Sequence, residues 1–402
     1  MAQNSISGKI VVNIEPELKR RLYSTLSMAG ITLKDWFRRS AAAYCDEQRS
    51  PSQERTVVYQ AMRRKRSSAV REEYGKYGDA VSVGNGGGEA SRKYSVVSMF
   101  SGCGGMDLGF MGGFEVFGRR YGSLPFEIAW ANDLNAEACK TYRRNLGHEI
   151  ARGDVWELLD HMPTKADVLI GGFPCQDISV NGKRAGVNGK RSGLYKAMVE
   201  AISRCKPKVF VAENVKALLR NDEWLRQVVG DFNGLGYNLH YQLYQAADYG
   251  VPQTRERVLF VGTAKGIQPY APPTAERSAA TWMTAREAIG NLEDMPRNPR
   301  INHIWSFANT SPEQGNRRLV ADRPGYTIRA ECHGNIQYHY RLPRRISMRE
   351  AARIQSFPDK FLFVSGLRET ERQVGNAVPP VLAWNVANAV LECLRASEKK
   401  NA

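Results

Sequence analysis

Long apolar runs are missing from this chain: nowhere do about 18 consecutive apolar residues occur, which argues against a membrane-spanning helix. The opening residues, Met1-Ala2-Gln3-Asn4-Ser5-Ile6-Ser7-Gly8-Lys9, lack the apolar core of a secretory signal. Paired cysteines are missing too. Seven cysteines stand singly at positions 45, 103, 139, 175, 205, 332 and 393, none in a C-x-x-C spacing. Neither a zinc ribbon nor a disulfide framework is therefore expected. These absences predict a cytoplasmic, globular chain, long enough at 402 residues for roughly two or three domains. Acidic residues are in short supply: 57 Lys and Arg face 41 Asp and Glu, a net charge of +16. Such an excess favours a polyanionic partner, nucleic acid before others. It is unevenly spread. Residues 1–94 hold 17 basic against 10 acidic side chains, and residues 265–345 hold 12 against 7.

What is present falls into segments. Residues 1–50 open with the alternating run Lys9-Ile10-Val11-Val12-Asn13-Ile14. Two amphipathic helical patterns follow, one on Leu18, Leu22, Leu26 and Ala29, the next on Leu33, Trp36, Phe37, Ala41 and Tyr44. Thr32 and Asp35 suit the start of the second helix. This strand–helix–helix order resembles a ribbon-helix-helix DNA-binding module. The resemblance implies a homodimer formed through the N-terminal strand, with Lys9, Val11 and Asn13 facing the major groove. Residues 51–93 are polar and include Gly84-Asn85-Gly86-Gly87-Gly88, a linker composition.

From residue 94 onward, short apolar runs alternate with helical patterns. Strands are predicted at 94–100, 126–131, 167–170, 208–212 and 258–262, with helices at 136–145 and 194–204. Alternation of this kind predicts an α/β fold with a doubly wound, mostly parallel sheet. Ligands of such sheets sit at the carboxyl ends of the strands, and the unusual residue runs fall there. The first strand leads into Ser101-Gly102-Cys103-Gly104-Gly105, where glycines allow backbone to approach a ligand closely. Asp133 ends the next strand and suits ribose hydroxyls; Asp154 is a further candidate, for adenine. The third strand runs into Gly171-Gly172-Phe173-Pro174-Cys175-Gln176, which sets a cysteine on a perch stiffened by proline. Thiolate nucleophiles need such a perch. Ala212-Glu213-Asn214-Val215 ends a fourth strand, and Gln253-Thr254-Arg255-Glu256-Arg257 precedes a fifth.

Those blocks, in that order, resemble the DNA (cytosine-5) methyltransferase family. The likeness continues through Arg349-Glu350-Ala351-Ala352-Arg353-Ile354-Gln355-Ser356-Phe357-Pro358 and Gln373-Val374-Gly375-Asn376-Ala377-Val378-Pro379-Pro380. It implies a cofactor-binding and catalytic domain at 94–263, a smaller irregular target-recognition region at 264–345, and C-terminal motifs at 346–402 that return to the catalytic domain. It also implies S-adenosylmethionine as methyl donor, no metal, and a cytosine flipped out of double-stranded DNA. Cys175 would attack carbon 6 of that base. Glu213 would hydrogen-bond or protonate ring nitrogen 3, in surroundings that raise its pKa. Arg255 would contact the base and hold the cysteine loop, leaving Arg257 the more structural of the two. Cofactor contacts carry over to Phe100, Gly102, Gly104, Asp133, Asp154, Val155, Pro174, Leu194, Asn376 and Val378. One departure is Leu134, at a position where the family often has an aromatic ring over adenine.

In the basic region, Arg329, His333, Asn335 and Gln337 have donors suited to base edges. Cys332, His333 and His339 lack a fourth ligand at ordinary zinc spacing. The functional expectation is the modification enzyme of a restriction–modification system, with a cognate endonuclease acting on the same site. The N-terminal module would add autoregulatory repression, and no membrane is involved. An RNA methyltransferase of the same fold, acting on transfer RNA, is the alternative reading.

Overall fold

Alternation along the strands sends neighbouring side chains into two separate cores, one on each face of a single sheet. Val96, Val168, Ile170, Val209 and Val211 belong to one cluster, and Val97, Leu169, Phe210 and Phe260 to the other. A sheet buried on both faces reads as near-continuous apolar runs, and this is why its strands were legible. The computed structural model describes residues 92–174, 193–306, 317–330 and 337–401. The chain divides into two units, Met1–Gly87 and Gly88–Ala402, and all described residues belong to the second. The N-terminal strand–helix–helix, with Lys9, Val11 and Asn13, lies outside the described residues.

The strands are β1 (Tyr94–Met99), a small hairpin β2 (Phe114–Val116) and β3 (Arg119–Tyr121), β4 (Phe126–Asp133), β5 (Ala151–Arg152), β6 (Val168–Gly172), β7 (Val209–Val215), β8 (Asn238–Gln245), β9 (Gln253–Thr254), β10 (Glu256–Thr263) and β11 (Gly325–Tyr326). Seven of them form one sheet in the order β5-β4-β1-β6-β7-β10-β8. Neighbours from β5 to β7 are parallel, whereas β10 runs antiparallel to both β7 and β8. The doubly wound, mostly parallel sheet is thus present. The strand order turns back at β1, the switch point where such folds bind ligands. Two strands of this sheet were not foreseen, the two-residue β5 and β8, one at each edge. β8, Asn-Leu-His-Tyr-Gln-Leu-Tyr-Gln, is an edge strand whose polar content carries no apolar signal.

Helices cover both faces: α1 (Gly105–Met111), α2 (Ala136–Leu146), the single turn α3 (Val155–Leu158), α4 (Gly193–Cys205), α5 (Asp222–Gly234), α6 (Ala285–Ile289), α7 (Met348–Ile354), α8 (Leu367–Asn376) and α9 (Pro380–Asn401). Asn135 caps α2 by accepting the Glu137 and Ala138 N–H groups, both at 2.9 Å. Ser347 caps α7 in a reciprocal box with Glu350. An apolar helical window within residues 367–399 is 83% buried, so packing in the core, chiefly against α1, accounts for its hydropathy. Among the described residues of 264–345, regular structure is limited to α6, short turns, and β11 paired with β9.

Candidate active site

The carboxyl ends of β1, β4, β6 and β7 open onto one cavity of about 580 Å³. Antiparallel β10 matters here, because reversal brings its first residues to the same edge. Arg257 pairs with Val215 and Leu259 with Glu213 in the β10–β7 ladder. Arg257 and Glu213 are therefore diagonal neighbours on one face. Their side chains meet, Nε donating to Oε1 at 2.8 Å, with the two side chains 11% and 10% exposed. Gly172 stands opposite Glu213 in the next ladder, and a Cβ there would lie 3.0 Å from Glu213 Oε2. Glycine at 172 keeps room for the carboxylate. Asn214, also buried, donates from Nδ2 to the Phe173 carbonyl at 3.2 Å, fixing the chain just ahead of Pro174.

The two arginines divide their work differently from expectation. Arg255 is buried to 1% exposure, and its terminal nitrogens donate to the carbonyls of Ile328, Gly375 and Ala377 at 2.9–3.0 Å. Burial pulls its pKa well down, with Arg257 adding to that and Glu213 opposing it. Arg255 thus ties three chain segments together, and Arg257 is the one that meets Glu213. Glu213 is itself buried, with the Arg257 guanidinium as its partner.

On the cofactor side, Phe100 takes φ +53° immediately after β1, a strained conformation for an aromatic residue. Gly102, at φ +58°, donates its N–H to Asp133 Oδ2 at 2.8 Å, and Asn135 N–H reaches Oδ1 at 2.7 Å. A carboxylate oxygen can accept two hydrogen bonds and each of these accepts one, so a lone pair on each remains for ribose hydroxyls. Burial raises the Asp133 pKa, and the two backbone donors oppose that. Asp154 Oδ1 accepts the Trp156 N–H at 2.9 Å, leaving Oδ2 for a ligand. Val155, Pro174, Leu194, Asn376 and Val378 line the same cavity. Gly104 does not. At φ +93°, its missing Cβ would fall 2.5 Å from Leu146 Cδ1 and 2.9 Å from Tyr142, so this glycine serves packing of α1 on α2.

Several lining residues escaped the sequence reading. Asp107 is fully buried, accepts the Tyr142 hydroxyl at 2.8 Å on Oδ1, and has no bonded partner at Oδ2 among the described residues. Burial pushes its pKa up to about 6, although the hydrogen bond from Tyr142 works the other way. Asn135 donates to Glu369, which also pairs with Arg372 at the cavity edge. Their spacing in sequence carries no signal; only folding brings α2 and α8 together. The nucleoside-grade carboxylate, the glycine turn and the orphaned Asp107 oxygen fit a polar nucleoside such as S-adenosylmethionine.

Comparison with known proteins decides the family. The profile for C-5 cytosine-specific DNA methylase matches residues 94–321 and 301–392. This chain belongs to that family. It is a DNA (cytosine-5) methyltransferase, whose methyl donor is S-adenosylmethionine and whose substrate is DNA. Type II methyltransferase M.NgoFVII of Neisseria gonorrhoeae is 37% identical over 341 residues, 75% of this chain and 87% of that protein. M.FnuDI of Fusobacterium nucleatum is 33% identical over 76% of this chain and 96% of its own length. Among solved structures, a protein described as a DNA modification methyltransferase encoded within an E. coli prophage aligns with TM-score 0.59 at 22% identity. It covers 75% of this chain and all of that one. The Dnmt2 methyltransferase of S. pombe aligns with TM-score 0.56 at 16% identity, covering 75% and 98%. Both structures share the fold.

The family's nucleophile, expected at Cys175, lies outside the described residues, as do Cys45, Cys332, His333 and Asn335. The other four cysteines are all buried. Burial pushes Cys139 and Cys205 up to about 11 and raises Cys103 and Cys393 as well. None of the four has the thiolate character that nucleophilic attack requires. Of the residues expected to read base edges, Arg329 is exposed. Gln337 is a correction. It is 1% exposed, and its Nε2 donates to the Tyr326 carbonyl at 2.6 Å, so it supports the loop from within. His339 is buried too, with Nδ1 accepting the Arg341 and Leu342 N–H groups at 3.1 and 3.2 Å.

Proposed function

We propose that this chain methylates carbon 5 of a flipped-out cytosine in a specific duplex DNA sequence, with Cys175 as nucleophile and Glu213 as the group facing ring nitrogen 3. The observation carrying this reading is convergence: Pro174, the residue before Cys175, shares one cavity with Glu213, Arg257 and Asp133. Asp133 would hold the donor's ribose and Asp154 with Val155 its adenine, while Asn376 and Val378 flank the methionine end. The donor supplies, when bound, a methyl group made electrophilic by its sulfonium. Everything else falls to the protein and the base. The Cys175 thiolate adds to carbon 6, breaking the ring's aromaticity and making carbon 5 enamine-like. Glu213 hydrogen-bonds or protonates nitrogen 3 and takes up the charge that develops there. Arg257 holds the Glu213 carboxyl in position. After methylation, loss of the carbon 5 proton expels Cys175 as thiolate and restores the ring.

Segment roles follow. Residues 94–263 catalyse, 264–345 meet the target with Arg329, His333 and Asn335 toward the groove, and 346–402 close the cofactor cavity. Residues 1–50 form a ribbon-helix-helix module that dimerises through its strand and contacts DNA with Lys9, Val11 and Asn13. The +7 balance of residues 1–94 supports that assignment. The M.NgoFVII likeness favours a modification enzyme acting in the cytoplasm beside a cognate endonuclease, and the N-terminal module favours repression of its own gene. Labelled methyl transfer to duplex DNA and to transfer RNA, followed by bisulfite sequencing of the DNA, tests the reading. Methylation of one duplex sequence supports it; methylation of transfer RNA alone overturns it. Footprinting with and without residues 1–50 tests the module, and retained protection after the deletion would defeat it.

A further inference from the structure

Six large apolar side chains stand exposed among the described residues, and two of them, Leu134 at 69% and Trp156 at 45%, line the same cavity. Scattered exposed apolar residues are ordinary, but a pair at one cavity mouth marks a contact surface. The sheet puts them there. Asp133 pairs with Arg152 between β4 and β5, so Leu134 and Gly153 leave the sheet side by side. Asp154 then caps the next turn through the Trp156 N–H. Val155 goes into the core at 3% exposure, and Trp156, one position on, faces outward. Across the mouth, a Cβ on Gly193 would lie 3.7 Å from Trp156 Nε1, so the indole spans from the β5 exit to the start of α4. Leu194, next along α4, lines the cavity beside it.

We propose that Trp156 is the aromatic wall of the nucleobase pocket: its indole stacks on the adenine of the methyl donor, and Leu134 closes the mouth by aliphatic contact. The proposal rests on the reading that this cavity holds S-adenosylmethionine through Asp133. A leucine offers an adenine ring only dispersion, whereas an indole adds stacking, which is worth most between flat π-systems. Placed at the purine, far from the reacting methyl group, that contact stabilises ground and transition states alike. It sets affinity and leaves turnover alone.

The test is calorimetric binding of S-adenosylhomocysteine to the full chain and its variants, with kcat measured at saturating S-adenosylmethionine. Trp156→Ala should weaken binding about tenfold and Trp156→Phe by about two- to threefold, with kcat unchanged. Adding Leu134→Trp to Trp156→Ala should restore most of the affinity. Intrinsic fluorescence should be quenched on binding, less so in Trp156→Phe. Wild-type affinity in Trp156→Ala, while Asp133→Ala binds weakly, overturns the role of Trp156 and keeps the cofactor reading. Wild-type affinity in Asp133→Ala overturns the cofactor reading itself.

Discussion

The carboxyl edge of the sheet and the loop-rich segment at 264–345 treat polar side chains in opposite ways. At the edge, ladder hydrogen bonds already satisfy the backbone, so the Glu213 and Asp133 carboxylates keep capacity for a ligand. In the loop-rich segment few carbonyls have ladder partners, and buried carbonyls must be satisfied by something. Side chains take over. Gln337 serves Tyr326, Arg318 serves His339, and Arg349 reaches in to serve Ile301. A carboxylate at a strand end thus reads as chemistry, while a donor facing loop carbonyls reads first as scaffolding, Arg255 beside β10 included.

The strongest way to sharpen this contrast is Glu213→Gln. A neutral amide keeps the shape but loses the proton-bearing group, so kcat should fall by about 10²–10⁴-fold. Binding of S-adenosylhomocysteine should hold steady, and a matching loss of binding would mean that Glu213 shapes the cavity instead. Arg255→Met comes next. It removes donors to three carbonyls, leaving buried acceptors unmatched, and should cost about 3 kcal/mol or more in urea unfolding. An effect on activity with unchanged stability would return Arg255 to the base.

Asp107 offers a pH-dependent break. Its pKa in the folded protein is near 6, above the ordinary carboxylate value of 3.8, because burial disfavours the charge and Asp133 adds repulsion. The folded state therefore holds this proton more tightly than the unfolded chain. The stability it contributes is complete below about pH 4 and is lost as pH rises through about 6. Asp107→Asn should consequently gain on the wild type over that window, by about 3 kcal/mol, and run parallel to it above. Thermal melts at pH 4, 5, 6 and 8 check this; a constant difference across the series would contradict it. The smallest expected effects separate two neighbours in the loop-rich segment. Gln337→Ala should lower stability by about 1 kcal/mol without altering sequence preference. Arg329→Ala should weaken DNA binding with stability unchanged. Reversed outcomes would erase the contrast between scaffold and reader.

Much of the fold was legible because both sheet faces are covered, which turns Val96-Val97 and Val168-Leu169-Ile170 into plain apolar runs. β8 was not, since an edge strand with His240, Gln242 and Gln245 needs no such run. The site was legible wherever a strand end carried it: Asp133, Glu213 and Pro174 reach the cavity as their places suggested. Gly104 was misread because a glycine's missing side chain leaves no clue to which neighbour needs the space; here it is Leu146 and Tyr142. Glu369 and Trp156 were passed over because nothing local marks them. The first reaches the cavity through packing of α8, the second through a single turn after β5.

The central claim is that Cys175 attacks carbon 6 of cytosine at the cavity where Glu213 lies. Duplex DNA carrying 5-fluorocytosine at the methylated position tests it directly, because fluorine at carbon 5 cannot leave as a proton does and the adduct is held. Incubation with S-adenosylmethionine, digestion and mass spectrometry should find the base on the peptide containing Cys175. An adduct on another cysteine, or full methyl transfer by Cys175→Ala, would contradict the account.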